Sequence, residues 1–184
     1  MWVYLPPGYA TGTGRSYPVL YMLDGQNVFD LNTSFAGEWM ADEACEALVT
    51  AGLMAPVIVV AVDNGGAARL HEYTPWYDAG YGAGGGADAH LQAIAEVLVP
   101  WVNAGYRALT GPSNTALAGS SLGGLLAAYA AYARPDVFGS AAAVSPSIWW
   151  SNDALLGYAA SRPKPPATVY LDMGTRESGV PMSR

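Results

Sequence analysis

The sequence predicts a single α/β domain, residues 1–184, in which helices cover both faces of a mainly parallel sheet. Short apolar runs with the β-branched and aromatic bias of buried strands recur along the chain, at 18–24, 56–63, 114–120, 140–145 and 167–172. Helical patterns separate them, at about 38–51, 87–106 and 122–133. Strands that are apolar on both faces and alternate with helices are typical of a parallel sheet.

The individual elements begin and end at recognisable signals. Residues 3–5 have the pattern of a first strand that runs into a Pro-Pro-Gly turn, and Pro135 ends the helix at 122–133. Four strands run into polar or glycine-containing turns at their carboxyl ends, with the sequences DGQN, DNGG, GSSLGG and DMGTRE. Ligands of open parallel sheets bind at that edge, so a functional site is expected there.

Composition narrows the classes of partner. The 52% hydrophobic and 12% charged residues indicate a folded protein, and the net charge of −7 argues against nucleic acid or an anionic membrane as a partner. No apolar stretch is long enough to span a bilayer, and the first residues, MWVYLPPGY, do not resemble a signal peptide, so we expect a cytoplasmic protein. Cys45, the one cysteine, is expected to be a buried apolar residue.

We expect no cofactor and no metal. The chain lacks HExxH, paired Cys/His spacing and an EF-hand loop. The stretch GAGGGA at 82–87 fits a dinucleotide fingerprint formally, but no strand precedes it and no acid follows at the required distance. It is interpreted as a flexible loop before the next helix.

The sequence Gly119-Ser120-Ser121-Leu122-Gly123 has the form G-x-S-x-G between a strand and a helix. The pentapeptide alone is weak evidence in a glycine-rich chain, and a plain strand-to-helix turn is the alternative. Its context is that of a nucleophile elbow, a strained turn that presents a serine oxygen above the sheet. Ser121 at the central position is therefore the candidate nucleophile.

A nucleophilic serine needs donors for the developing oxyanion. The backbone N–H after the nucleophile and one in the loop after an earlier strand supply them in this architecture, which points to Leu122 and Gln26. Gly25 and Asn27 are alternatives to Gln26, and a solvated Asp-Gly turn is the structural alternative for the whole segment.

The sequence offers candidates for the acid of a catalytic triad but no histidine in the expected position for its base. Glu177, in the loop beyond the strand at 167–172, is favoured as the acid over Asp172 at the strand end. The expected order is serine, acid, histidine, yet no histidine follows Glu177. His90 is expected on a helix surface, and His71 in a loop on the side of Ser121 opposite Glu177.

Several segments together resemble the α/β-hydrolase "putative esterase" family, which includes S-formylglutathione hydrolase, feruloyl esterases and siderophore esterases. The resemblance covers nearly the whole chain and is strongest toward the siderophore-esterase branch. It rests on VYLPPGY, PVLYMLDGQNVFD, WMADEA, R..EYTPW, GSSLGGLLAAYAA..RPDVFG, SPSIWW and LDMGTRE. It implies an α/β-hydrolase fold, a small-molecule ester substrate, Ser121 as nucleophile and Glu177 as acid, with Arg69 and Trp150 in segments that border the pocket.

The chain departs from that family at both ends. Relatives have further strands before VYLPPGY and, after the acid, a last strand, a histidine loop and a C-terminal helix, so the chain resembles the central part of such a hydrolase. The strand at 167–172 is then expected to be a sheet edge that a second copy, a swapped segment or the missing part covers.

Three functions remain open on the sequence: a serine carboxylesterase, a silent binding domain without the triad histidine, and an acyltransferase. Five aromatic residues are predicted to lie in loops, where they would either contact a ligand or pack into the hydrophobic core. They are Tyr73, Trp76, Tyr77, Trp149 and Trp150.

Overall fold

Six strands alternate with helices along the computed structural model, which describes residues 1–175. The strands are β1 Trp2–Tyr4, β2 Val19–Leu23, β3 Ile58–Val62, β4 Thr115–Ser120, β5 Ser140–Val144 and β6 Thr168–Asp172. The helices are α1 Ala41–Thr50, α2 Arg69–Glu72, α3 Ala87–Ala93, α4 Val99–Gly105, α5 Leu122–Ala133 and α6 Trp150–Ala160. All six strands were predicted, so the apolar-run pattern located the sheet correctly.

The strands form one sheet in the order β1-β3-β2-β4-β5-β6. β1 is antiparallel to β3, and the remaining pairs are parallel, with Met22 opposite Ala118 and Val144 opposite Asp172. The mainly parallel sheet is confirmed. The carboxyl ends of β2, β4 and β5 therefore meet at one edge, with the loop after β3 on one side of β4 and the end of β6 on the other.

Alternate residues of the central strands bury their side chains in separate cores on the two faces of the sheet. Tyr21 and Val60 belong to the larger core, which includes α5, whereas Met22, Ala61 and Cys45 belong to a smaller core beside α1. Helices on both faces are thus confirmed, and Cys45 is buried as expected.

Two helical segments differ from the simple pattern. The predicted helix at 87–106 is continuous from α3 to α4, but its middle turn, Ile94–Leu98, is π-helical. Helix α6 was not predicted. Its first turn contains Ser151, Asn152 and Asp153 at φ of 51°, 56° and 58°, in the left-handed region, so no ordinary helix-start signal marks it in the sequence.

Strand β6 lies at the end of the sheet within the described residues. The side chains of Val169, Tyr170 and Leu171 are 40%, 57% and 53% exposed. An open groove of about 760 Å³ runs beside β6 and α6, and Leu155, Leu156, Val169 and Leu171 are among its lining residues. Strand β6 is therefore an exposed edge of the sheet among the described residues, as predicted. Across residues 1–175, the helices are too short or too polar to cross a bilayer.

Candidate active site

Ser121 lies between β4 and α5 with φ 55° and ψ −119°. A non-glycine residue at positive φ costs about 1–3 kcal/mol and persists only where its surroundings hold it. Those surroundings are hydrogen bonds: the Ser121 N–H donates to the Val144 carbonyl at 3.1 Å, and its own carbonyl accepts from Leu125 at 3.0 Å and Ser147 at 2.9 Å. The side chain itself is exposed. The turn thus has the strained backbone and the outward serine that an elbow requires.

The glycines around Ser121 serve different purposes. A Cβ on Gly119 would lie 2.6 Å from the backbone carbon of Gly123, and one on Gly124 would lie 2.9 Å from the Val144 carbonyl oxygen. A Cβ on Gly123 would meet Leu23 at 3.4 Å, which is ordinary contact. Gly119 and Gly124 therefore allow β4, α5 and β5 to approach, and Gly124, outside the pentapeptide, was not singled out by the sequence.

Ser147 is the side-chain partner of Ser121. The two Oγ atoms are 3.1 Å apart, and Ser147 is 3% exposed. Sequence reasoning missed this residue, although SPSIWW was among the segments compared. The signal that could have located it is the position of that segment directly after β5, at the same edge of the sheet as Ser121.

Asp24 directly follows β2 and has a left-handed conformation, with φ 56°. Its carboxylate is 3% exposed and accepts hydrogen bonds from Arg69 Nε at 2.6 Å, Arg69 Nη2 at 2.7 Å and Asn64 Nδ2 at 2.6 Å. Its backbone N–H donates to the Tyr73 hydroxyl at 2.9 Å. Burial tends to lower the pKa of Arg69, but the hydrogen bonds that it donates to Asp24 and the negative charge of that carboxylate outweigh burial, so the pKa is raised. The solvated Asp-Gly turn is therefore not what forms.

The Gln26 side chain is paired with the backbone of Asn64 in both directions. Gln26 Nε2 donates to the Asn64 carbonyl at 3.0 Å, and the Asn64 N–H donates to Gln26 Oε1 at 3.2 Å. This pairing fixes the one-turn 3₁₀ segment Gly25–Asn27. Leu122 begins α5, so its N–H lies in the first turn of a helix, where N–H groups have no intrahelical acceptor.

The turn after β2 and the Ser121 turn after β4 are in contact. β2 and β4 are parallel neighbours, and a Cβ on Gly123 would lie 3.5 Å from Asp24 Oδ2. The segments that carry the Leu122 and Gln26 N–H groups therefore flank the same part of the sheet edge.

Of the two candidate acids, only Asp172 can be described. It ends β6 opposite Val144, and its Oδ1 accepts the Ser145 N–H at 3.0 Å while its Oδ2 accepts the Tyr170 hydroxyl at 2.9 Å. Asp172 thus fixes the backbone next to the segment that bonds Ser121. Glu177 lies outside the described residues.

Both histidines are engaged in contacts on the β3 side. His71 Nδ1 donates to the Gly84 carbonyl at 2.9 Å, because a carbonyl can only accept, and its ring packs against Gly86. The glycines of this loop permit a close approach to His71 and to the Trp76 carbonyl, so the interpretation of 82–87 as a merely flexible loop is incomplete.

The surface position expected for His90 is wrong. Its ring centroid lies 5.4 Å from that of Tyr73, and its Nε2 is buried without a hydrogen-bond partner among residues 1–175. Burial lowers the pKa of His90, an effect that Glu72 partly opposes. The helix surface and the packed face could not be told apart because alanines surround the residue on α3.

The aromatic residues divide into core and surface. Trp150 is fully buried, and its indole N–H donates to the Trp76 carbonyl at 2.7 Å, which ties the start of α6 to the loop that carries Trp76. Trp149 beside it is exposed, and its ring lies 5.8 Å from that of Tyr81. Arg69, the other predicted substrate-binding residue, has 20% of its side chain exposed.

Carboxylates that could share a cation lie on another part of the chain. Within the described region, oxygen atoms of Glu38, Asp42 and Glu43 lie within 4.8 Å of one another at the start of α1. Exposed acidic groups at a helix start are common without a metal. Among the described residues, this carboxylate group does not include a residue of the Ser121 turn.

Comparison with known proteins identifies the family. A profile of the family described as "Putative esterase" matches residues 1–183. The chain belongs to this family. The fold is that of the α/β hydrolases, as the resemblance implied.

Individual relatives support the assignment. The chain is 28% identical to the uncharacterized protein YbbA of Bacillus subtilis, over 95% of this chain and 67% of that protein. It is 32% identical to the siderophore triacetylfusarinine C esterase of Aspergillus fumigatus, over 78% of this chain and 49% of the relative. The siderophore hydrolase EstA of Aspergillus nidulans superposes with a TM-score of 0.67 and 29% identity, over 85% of this chain and 56% of EstA. The chain thus spans about half the length of the two fungal hydrolases.

Proposed function

We propose that this esterase-family chain acts on carboxylic esters through Ser121. The observation that carries the proposal is the Ser121 turn: a strained, exposed serine between the central strand β4 and the buried helix α5. Four hydrogen bonds of Ser121 hold this strained conformation in place. Strained backbone conformations occur preferentially at reactive positions of proteins. In the proposed reaction Ser121 Oγ attacks the ester carbonyl carbon, and the Leu122 and Gln26 N–H groups bind the oxyanion.

The proton of Ser121 needs an acceptor. Neither His71 nor His90 is hydrogen-bonded to Ser121, and both make contacts on the β3 side of the sheet. The proposal therefore assigns the base to neither of them, and Glu177 or Asp172 remains the proposed acid. An oxyanion hole alone retains about 10³–10⁴-fold catalysis over water, so an ester with a good leaving group suits the test.

The decisive test is turnover of p-nitrophenyl acetate and labelling by a fluorophosphonate probe. Ser121→Ala is expected to abolish both, whereas Ser120→Ala, at the variable position of the pentapeptide, is the matched control and should react like the wild type. Equal rates for the wild type and Ser121→Ala would contradict the proposal. Hydrolysis and acyl transfer are separated by product analysis in the presence of an alcohol.

For the substrate we propose a small siderophore-type ester. Two relatives are named for siderophore hydrolysis, a triacetylfusarinine C esterase and the siderophore hydrolase EstA. The exposed rings of Tyr81 and Trp149 and the partly exposed, positively charged side chain of Arg69 would supply aromatic and cationic contacts. The test is hydrolysis of triacetylfusarinine C, with the products measured by chromatography and the rate compared with that for p-nitrophenyl acetate.

A silent binding domain is the second candidate. The observation in its favour is that no imidazole contacts Ser121 Oγ among residues 1–175, where the recorded partner is Ser147. A chain that binds the siderophore ester but resists the fluorophosphonate probe would establish this alternative.

A further inference from the structure

The hydroxyl group of Ser147 is a buried polar group beside the proposed nucleophile. Its backbone is held on both sides, because its N–H donates to the Ser121 carbonyl at 2.9 Å and its carbonyl accepts from Trp150 at 3.1 Å. Its Oγ lies 3.1 Å from Ser121 Oγ, and the residue is 3% exposed. Ser147 is therefore fixed in place at the reacting atom.

The direction of this hydrogen bond follows from what each hydroxyl can reach. Buried hydroxyl protons in folded proteins have acceptors. Among residues 1–175, the acceptor recorded for the Ser147 hydroxyl is Ser121 Oγ. Ser121 is exposed, so its own proton can point to solvent, a base or a ligand. We infer that Ser147 is a further catalytic residue, which donates its hydroxyl proton in a hydrogen bond to Ser121 Oγ and leaves the Ser121 proton free to depart.

This arrangement assists attack on the ester. As the bond from Ser121 Oγ to the carbonyl carbon forms, the π electron pair moves to the carbonyl oxygen and the Ser121 proton leaves to a base. Ser121 Oγ carries partial negative charge in the transition state, where its proton is departing and its bond to carbon is incomplete, and a hydrogen bond to a charged oxygen is stronger than one to a neutral oxygen. The charge then passes to the carbonyl oxygen as the bond to carbon is completed. Ser147 keeps its proton throughout, so no co-reactant is needed. The inference rests on the proposed role of Ser121.

The test is saturation kinetics of fluorophosphonate labelling. Ser147→Ala removes the donor and is expected to lower the limiting labelling rate by about ten- to a hundredfold, the range for one hydrogen bond to a charged group. The half-saturating probe concentration should stay unchanged, because the buried hydroxyl does not contact the reagent. Ser147→Thr retains a hydroxyl and is expected to restore most of the rate, whereas Ser147→Cys, a weak donor, is not.

Controls separate this inference from the function on which it rests. Ser113→Ala deletes an exposed hydroxyl at the opposite end of β4 and should label like the wild type. If Ser121→Ala is labelled as fast as the wild type, the proposed function fails. If Ser121→Ala is inert but Ser147→Ala labels normally, only the role of Ser147 fails.

Two other results would also overturn the inference. Faster labelling of Ser147→Ala would mean that Ser147 accepts the Ser121 proton and restrains the nucleophile. A change confined to the half-saturating concentration would mean that Ser147 only shapes the pocket. If thermal melting shows that Ser147→Ala does not fold, the comparison of Ser147→Thr with Ser147→Cys decides, and equal rates for these two overturn the donor role.

Discussion

Arg69 holds both carboxylate oxygens of Asp24, with Nε 2.6 Å from Oδ1 and Nη2 2.7 Å from Oδ2. Asp24 directly follows β2 and Arg69 begins α2, beyond β3, so this ion pair joins the segments that leave two neighbouring strands. The paired two-point geometry is the one for which a guanidinium is suited. It fixes the turn that presents the Gln26 N–H.

Replacing Arg69 with methionine is expected to lower the free energy of unfolding by about 3–5 kcal/mol, because a buried carboxylate would lose its counter-charge. The free energy of unfolding of Arg69→Lys should lie between those of the wild type and Arg69→Met, since an ammonium keeps the charge but cannot form both hydrogen bonds in the same geometry. Urea unfolding measures the loss. Arg134→Met is the matched control: its partner Asp136 is 63% exposed, and such surface pairs contribute about 0–1 kcal/mol. Similar losses for the two methionine variants would contradict the buried pair.

Replacing Gly119 with alanine is expected to lower the free energy of unfolding, whereas replacing Gly123 with alanine is expected to raise it. At Gly119 the new Cβ would lie 2.6 Å from backbone, and such overpacking costs about 1–3 kcal/mol. At Gly123 the nearest atom is 3.4 Å away, and replacing a helical glycine with alanine gains about 0.5–1 kcal/mol. Urea midpoints of the two variants measure the contrast. A larger loss at Gly123 than at Gly119 would refute this account of the pentapeptide.

The sequence pattern located the sheet and the Ser121 turn because both depend on local composition. Apolar runs define buried strands, and a glycine-flanked serine between strand and helix defines the turn. Ser147 could not be found this way, because its contact with Ser121 depends on the pairing of β4 with β5.

Two contacts near the site could not be predicted from local sequence. His90 was expected on a surface, but the loop after β3 brings Tyr73 over its ring. Trp150 lies directly before three left-handed residues of α6, and its indole N–H donates to the carbonyl of Trp76, which is distant in sequence. Both outcomes depend on loops whose course the local sequence does not determine.

The half-buried His90, whose Nε2 is inaccessible to solvent, predicts a stability change between mildly acidic and neutral pH. Burial lowers the pKa of His90 in the folded protein, so the unfolded chain binds more protons just below the ordinary histidine pKa of about 6.5. Stability should therefore be full above that pH and decline as the pH falls toward the lowered pKa, by at most about 1.4 kcal/mol per pH unit for one proton. His90→Phe keeps a ring against Tyr73 and should remove that part of the slope. Urea unfolding from pH 5 to 7 measures it, and an unchanged slope in the variant would exclude His90 as the cause.

The exposed edge of β6 predicts self-association of the 184-residue chain. Val169 and Leu171 present apolar surface to the groove beside α6, and among residues 1–175 no further strand lies beside β6, so this edge can pair with another strand. Leu171→Lys places a charge on this edge and should shift the chain toward monomer in sedimentation velocity at micromolar concentration. Leu53→Lys, at a position 77% exposed in the turn after α1, carries the same charge change away from the edge and should leave the association unchanged. A wild-type chain that sediments as a monomer would show that copies do not pair through β6, whereas equal loss of association in both lysine variants would point to net charge instead of the edge.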